Sequence, residues 1–191
     1  MDYKIINPDA NGAGELIVRG PNVMKGYYKN PEATAEAIDA EGYFHTGDLV
    51  HFDENGNMSI CGRRKALIVN REGKNIYPEE VEQLIEGCPL IQDVIVLGYT
   101  VADEVGERVG AIIVPNTEAL EAKRVAMKWA QPQAESFVLN EVQQLCKQQL
   151  ADYKIPRKIE LCNEALERTS TMKVRRVVYA GSLDELSPEK K

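Results

Sequence analysis

Near its end an acidic chain carries Arg168-Thr169-Ser170-Thr171-Met172-Lys173-Val174-Arg175-Arg176. Hydroxyls followed by crowded cations suit a phosphate, whose oxygens accept hydrogen bonds and whose charge the cations answer. Two earlier stretches could hold a polar ligand. In Glu41-Gly42-Tyr43-Phe44-His45-Thr46-Gly47-Asp48-Leu49, Asp48 follows a glycine at the expected entrance to a strand. Its carboxylate could accept hydrogen bonds from both hydroxyls of a vicinal diol such as a ribose. In Cys61-Gly62-Arg63-Arg64-Lys65, the Arg63 guanidinium could clasp the same hydroxyls. Each residue also has a plain structural reading. Asp48 could be a turn residue, Arg63 a solvated surface side chain, and Lys173, Arg175 and Arg176 a solvated basic face.

Composition narrows the field. The 191 residues can bury one good core or two small ones, and 43% hydrophobic with 28% charged residues is ordinary for a globular protein. A net charge of -7 opposes nucleic-acid binding, and the basic stretch lacks the interleaved aromatics such binding uses. Cys61, Cys88, Cys146 and Cys162 form no CxxC pair and no pattern with histidine, so no metal site is expected and reduced thiols are. No apolar run is long enough to span a bilayer, and Met1-Asp2-Tyr3-Lys4-Ile5-Ile6 opens no signal-peptide core. The expected setting is the cytoplasm, at most peripheral to a membrane.

The elements that must position these groups fall into two parts. From 14 to 64 the chain reads as β-rich: a strand over 15–20, a short Asn-capped helix over 30–38 and a hairpin over 49–62 turning at Asn55-Gly56. Ala66-Leu67-Ile68-Val69 reads as a strand and 70–75 as a loop. The stretch 77–89 is a whole helix, with Pro78 at its start, Val81, Leu84, Ile85 and Cys88 on one face, and Gly87 and Pro89 at its end. Buried strands follow at 93–100 and 109–115, then helices at about 118–130 and 134–151. In the latter, Val138, Val142, Leu145, Cys146 and Leu150 form an apolar stripe. A last strand over 158–162 precedes the basic stretch. The fold class is α+β, a β-rich N-terminal piece followed by a small α+β domain with a central sheet flanked by helices. The expected boundaries are 1–64, 65–181 and a frayed tail over 182–191.

Taken in order, the motifs resemble the adenylate-forming family of acyl-CoA synthetases, luciferases and peptide-synthetase adenylation domains. The resemblance runs from about Gly14 to about Arg176: Gly14-Glu15-Leu16-Ile17-Val18-Arg19-Gly20, then Thr46-Gly47-Asp48-Leu49, then Gly62-Arg63-Arg64-Lys65, then Gly73-Lys74-Asn75-Ile76-Tyr77-Pro78, then 103–114, then the threonine-rich loop ending in Lys173. The stretch 62–82 looks most like long-chain fatty acyl-CoA synthetases.

The resemblance implies roles. Asp48 and Arg63 hold the ribose of ATP, and Lys65 is the hinge about which the C-terminal domain swings between adenylation and thioester formation. Lys173 enters the site for adenylation, and Arg71-Glu72-Gly73-Lys74 lines the path of the CoA thiol arm in the other pose. A charge argument stands beside this for Lys173. Carboxylate and phosphate repel, and an ammonium 4 Å from a unit charge offsets about 4 kcal/mol at an effective dielectric of ~20.

Two features depart from the family pattern. Met172 replaces the usual glycine before the lysine, and a methionine disfavours positive φ, so a different loop conformation is expected. Leu166-Glu167-Arg168-Thr169 replaces the commoner Leu-Pro start. The family's Ser/Thr/Gly-rich phosphate loop ending in Pro-Lys-Gly is absent from these residues, as is its acyl pocket. The expectation is therefore a C-terminal portion, inactive alone, of an enzyme taking a fatty or other carboxylic acid, ATP with Mg2+ held mainly by a missing N-terminal domain, and CoA. A peptide-synthetase adenylation domain and a non-catalytic module binding through 81–88 or 134–151 are the alternatives.

Overall fold

The computed structural model describes residues 1–184, and the chain divides into two units, Met1–Ala66 and Leu67–Lys191. The first unit is a four-stranded antiparallel sheet whose strands lie in chain order: β1 (Asp2–Ile6), β2 (Gly14–Arg19), β3 (Phe44–Phe52) and β4 (Met58–Arg63). The short β1–β2 and β3–β4 links allow only antiparallel neighbours. Between β2 and β3 lies α1 (Pro31–Ala37), where Asn30 accepts the Ala33 N–H at 3.0 Å and Pro31 opens the first turn. The third strand starts at Phe44, well before the expected 49. Asp48 is consequently inside a strand rather than at its entrance. Asp2–Ile6 gave no strand signal because most of its side chains stay exposed.

One turn recurs through the chain. At Asp9, Asp39, Asp53 and Asn70 the N–H of the first residue donates to the carbonyl four residues on, and a glycine three residues on donates back to the first carbonyl. In each, the first side chain accepts the N–H groups two and four residues later. The glycines Gly12, Gly42, Gly56 and Gly73 have φ of 81°, 82°, 80° and 73°. This is the three-residue hairpin loop whose last residue is left-handed. Backbone hydrogen bonds, that from Tyr43 foremost, hold Asp39 below the usual carboxylate range, and Asn57 does the same for Asp53.

The second unit begins with a small hairpin, β5 (Ile68–Val69) and β6 (Asn75–Ile76), followed by α2 (Pro78–Glu86). The expected strand over 66–69 shrinks to β5, because Arg64–Ala66 coils into one 3-10 turn. Likewise α2 stops at Glu86, short of the expected 89. A three-stranded sheet follows, β7 (Ile91–Tyr99), β8 (Arg108–Pro115) and β9 (Lys158–Leu161), in the order β7-β8-β9. The first two strands are antiparallel, whereas β9 runs parallel to β8 and needs a crossover, made by α3 (Thr117–Met127) and α4 (Gln131–Gln149).

Side chains alternate across this sheet, and both faces are buried. Val94, Val96, Ala111 and Ile113 pack with Val81 and Ile85 of α2 and Val138 and Val142 of α4. On the opposite face Ile95, Ile112 and Val114 pack with Leu166 and Leu183. The covering there is the segment after β9, which includes the one-turn helix α5 (Arg176–Tyr179). Here the expected tail needs correction at its start. Leu183 is 1% exposed, and Asp184 accepts the Thr100 N–H at 2.7 Å and its hydroxyl at 3.0 Å. Residues 185–191 of that tail lie outside the described residues.

Candidate functional site

In the first unit, Asp48 and Arg63 are ladder partners on β3 and β4, so the backbone register itself brings the two side chains together. Arg63 Nε lies 2.9 Å from Asp48 Oδ1, and its Nη1 donates to the Thr46 carbonyl at 3.0 Å. The Thr46 hydroxyl donates to the Leu16 carbonyl at 2.7 Å and accepts the Asp48 N–H at 3.0 Å. Gly47 turns the strand with φ of 70°. The Asp48 side chain remains 26% exposed and that of Arg63 55%, which leaves both able to meet a ligand.

Beneath them is a residue the sequence reading passed over. Glu15, 3% exposed at its side chain, accepts the Gly47 N–H at 3.3 Å and faces Arg64 Nη1 at 2.9 Å and His45 Nδ1 at 3.6 Å. A buried carboxylate needs such partners. It therefore fixes both the Thr46-Gly47-Asp48 bend and the exit of β4. The signal was present in the sequence, an acid immediately ahead of the apolar run Leu16-Ile17-Val18. Lys65 follows Arg64 in the 3-10 turn, two residues ahead of Leu67, where the second unit begins.

In the second unit, Arg71, Glu72 and Gly73 form the turn of the β5–β6 hairpin, and Lys74 closes it. Lys74 Nζ contacts Glu72 Oε2 at 2.8 Å and lies 4.7 Å from the Tyr153 ring centroid. The hydrogen-bonded ion pair lowers the Glu72 carboxyl and raises the Lys74 ammonium. The hairpin is braced from the side: the Glu107 N–H donates to the Val69 carbonyl at 3.0 Å, and Glu107 Oε2 accepts the Val69 N–H at 3.2 Å. At Gly106 an added Cβ would lie 2.6 Å from the Arg71 nitrogen, so only glycine lets the two backbones approach. Arg71 and Glu72 line one wall of a cavity of about 380 Å³, with Arg108, Asp152 and Arg157 on others.

Lys173 closes a fifth copy of the recurring turn. Thr169 takes the place of the aspartate or asparagine: its N–H donates to the Lys173 carbonyl at 2.8 Å and its hydroxyl accepts the Lys173 N–H at 3.2 Å. Met172 takes the glycine's place and adopts φ of 63°. The expected change of loop conformation therefore does not occur. The hairpin bonds around Met172, including its N–H to the Thr169 carbonyl at 2.9 Å, impose the left-handed geometry on a residue that disfavours it.

The cations around the lysine are engaged. Arg168 pairs with Asp93 on β7 through Nη2 and donates through Nη1 to the Met172 carbonyl at 2.7 Å. Arg175 Nη1 lies 3.1 Å from Glu167 Oε2. Arg176 Nη2 lies 2.5 Å from Glu82 Oε2, and its Nη1 donates to the Val96 carbonyl at 2.8 Å. Burial raises the Glu82 carboxyl against the opposing pull of Arg176. Lys173 is exposed, and among the described residues its ammonium forms no ion pair. Nor do the described residues hold a group of three or more His, Cys, Asp or Glu side chains able to bind a metal ion.

Residues 80–173 match the family model of the AMP-binding enzyme C-terminal domain. The chain is 36% identical over 179 residues to a probable CoA ligase of Humulus lupulus, covering 93% of this chain and 30% of that protein. It is 35% identical over 182 residues to a long-chain-fatty-acid–CoA ligase of Haemophilus influenzae, covering 93% and 29%. To a 2-succinylbenzoate–CoA ligase of Bacillus cereus it is 33% identical over 175 residues, covering 92% and 32%. Among solved structures, ATP-bound MatB from Rhodopseudomonas palustris superposes with a TM-score of 0.71 at 30% identity, over 95% of this chain and 33% of that one. The chain thus spans about a third of the length of the curated relatives it matches.

Proposed function

Since the chain belongs to the adenylate-forming CoA ligases as their C-terminal part, by sequence match and by fold, we propose that it supplies the moving half of an acyl-CoA ligase. In the first half-reaction a carboxylate oxygen of the acid bonds to the α-phosphorus of ATP and pyrophosphate leaves. In the second, the CoA thiol loses its proton and attacks the acyl carbon, and AMP departs. Asp48 accepts from the ribose hydroxyls, Arg63 holds the carboxylate in place and adds donors of its own, and Lys173 neutralises charge where the acid meets the phosphate. Arg71-Glu72-Gly73-Lys74 borders the route of the CoA arm, and Lys65 is the pivot between the two poses. Mg2+ would neutralise the ATP phosphates, held by residues outside this chain.

The observation that carries the reading is the state of Lys173. Its neighbouring arginines are tied down, while its own ammonium is exposed and forms no ion pair among the described residues. Within 168–176 every arginine is engaged by the fold, which leaves Lys173 as the cation a ligand can take. For the acid we propose a long-chain fatty acid, supported by the sequence over 62–82 and the Haemophilus influenzae relative. The chain by itself is inactive in adenylation, lacking the phosphate loop, and its four free thiols suit the cytoplasm.

The test is Lys173→Ala in the complete enzyme. Loss of one preorganised charge costs about 10²–10³ in turnover, so ATP–pyrophosphate exchange falls by that factor while thioester formation from supplied acyl-AMP persists. Undiminished exchange refutes the assignment.

A further inference from the structure

Two polar clasps join the Lys173 hairpin to β7, beside the packing of Val174 on the same face of the sheet. On one arm, Arg168 spans the buried carboxylate of Asp93 and the carbonyl of Met172, the left-handed residue immediately before the lysine. On the other, Arg176 spans Glu82 and the Val96 carbonyl, while Glu82 Oε1 accepts the Val96 N–H at 2.7 Å. Each guanidinium thus bridges a carboxylate and a backbone carbonyl, a two-pronged contact that a lysine's single ammonium cannot reproduce. Between the two clasps lie Lys173 and Arg175, and Arg175 pairs with Glu167, which leaves Lys173 to present a charge.

From this the geometry points to Arg168, with Asp93, as a positioning pair for the adenylation half-reaction: it acts through the Met172 carbonyl to hold the lysine's backbone in register. The inference rests on the role proposed above for Lys173. The hairpin bonds and the clasps hold the lysine's backbone, and its exposed side chain extends from that base. Because the clasp reinforces the hairpin bonds that hold Met172 in a conformation it disfavours, releasing it loosens that residue and lets the lysine's Cα shift from its place. A misplacement of about 1 Å costs up to about 10²-fold in rate.

The experiment uses the complete enzyme with ATP, the acid and CoA. Arg168→Lys keeps the charge but cannot span both acceptors, and Asp93→Asn keeps the shape without the charge. Each is expected to slow ATP–pyrophosphate exchange about 10–100-fold with little change in the KM for ATP, and to leave CoA-dependent consumption of supplied acyl-AMP intact. The double variant should be no slower than the worse single one, since both act through one contact. Amide exchange over 169–174 should quicken in both. Equal losses in the two half-reactions mark a merely structural pair and overturn the inference. With Lys173→Ala measured alongside, the two proposals separate. If that variant is crippled while Arg168→Lys and Asp93→Asn run at full rate, the positioning role alone falls; if it is unimpaired, the function assigned to the lysine falls first.

Discussion

Replacing Met172 by glycine should stabilise the second unit. A left-handed non-glycine residue costs about 1–2 kcal/mol relative to glycine, and Met172 has φ of 63°. Against that stands the contact its side chain loses. The residue is 68% exposed, so about a third of it is covered, and a third of the roughly 1.5–3 kcal/mol of a buried methionine is about 0.5–1 kcal/mol. The balance favours glycine by about 0.5–1 kcal/mol, which is about 2–4 °C in Tm for a unit of this size. The chain's single tryptophan, Trp129, lies in the second unit, so its fluorescence during a thermal melt reports that unit alone. A reciprocal control is available at Gly73, where an added Cβ meets nothing within 4 Å. Gly73→Ala should therefore lose about 1 kcal/mol from backbone strain alone. A melting temperature for Met172→Gly below that of the parent would refute the reasoning, because the strain would then not exist.

Three further outcomes are expected. Leu183→Ala should cost about 2–5 kcal/mol in urea unfolding followed by Trp129, since it empties a site sealed against Ile95 and Ile112; a loss within error would mean that the last described residues are not docked. Burial pushes the Cys146 thiol up to about 11, leaving about one thiolate in a thousand at pH 8, so mass-spectrometric alkylation should mark Cys61, Cys88 and Cys162 first. Asp39 and Asp53 ionise below the ordinary 3.8 in the folded state, so their stabilisation is present above pH 3.8 and is lost as pH falls through their lowered values. Circular dichroism of the first unit's sheet in an acid titration should show that loss, and Asp39→Asn should reduce it.

What the sequence disclosed was what local rules write. The Asn30 cap, Pro78 at a helix start, the Asn55-Gly56 turn and the α4 stripe depend on neighbours a few residues apart, and each appears where expected, except that Leu145 lies half-buried outside the stripe and Ala134 extends it. Four of the five recurring turns were readable as an aspartate or asparagine three residues ahead of a glycine. The fifth was disguised, because Thr169 and Met172 perform the same geometry with side chains that do not advertise it. The hidden parts depended on distant pairing. Nothing near Arg168 names Asp93, nothing near Arg176 names Glu82, and the second buried face of the sheet depends on Leu166 and Leu183 returning to it. In the site, individual residues could be nominated from their motifs, but Glu15 and the two clasps could be seen only once the strands were paired.

The parallel pairing of β9 with β8 has a bearing on the order in which this protein matures. Residues 116–157 must fold back before β9 can join its neighbour, and long closures of this kind come late. Lys173 follows β9, whereas Asp93 and the Val96 carbonyl, which moor its hairpin, lie on β7, earlier in the chain. A copy in which that closure has not formed can hold α2, α3 and α4 and still leave the segment after β9 without its place on the sheet. The hairpin that carries Lys173 is therefore among the last parts of the second unit to reach its seat.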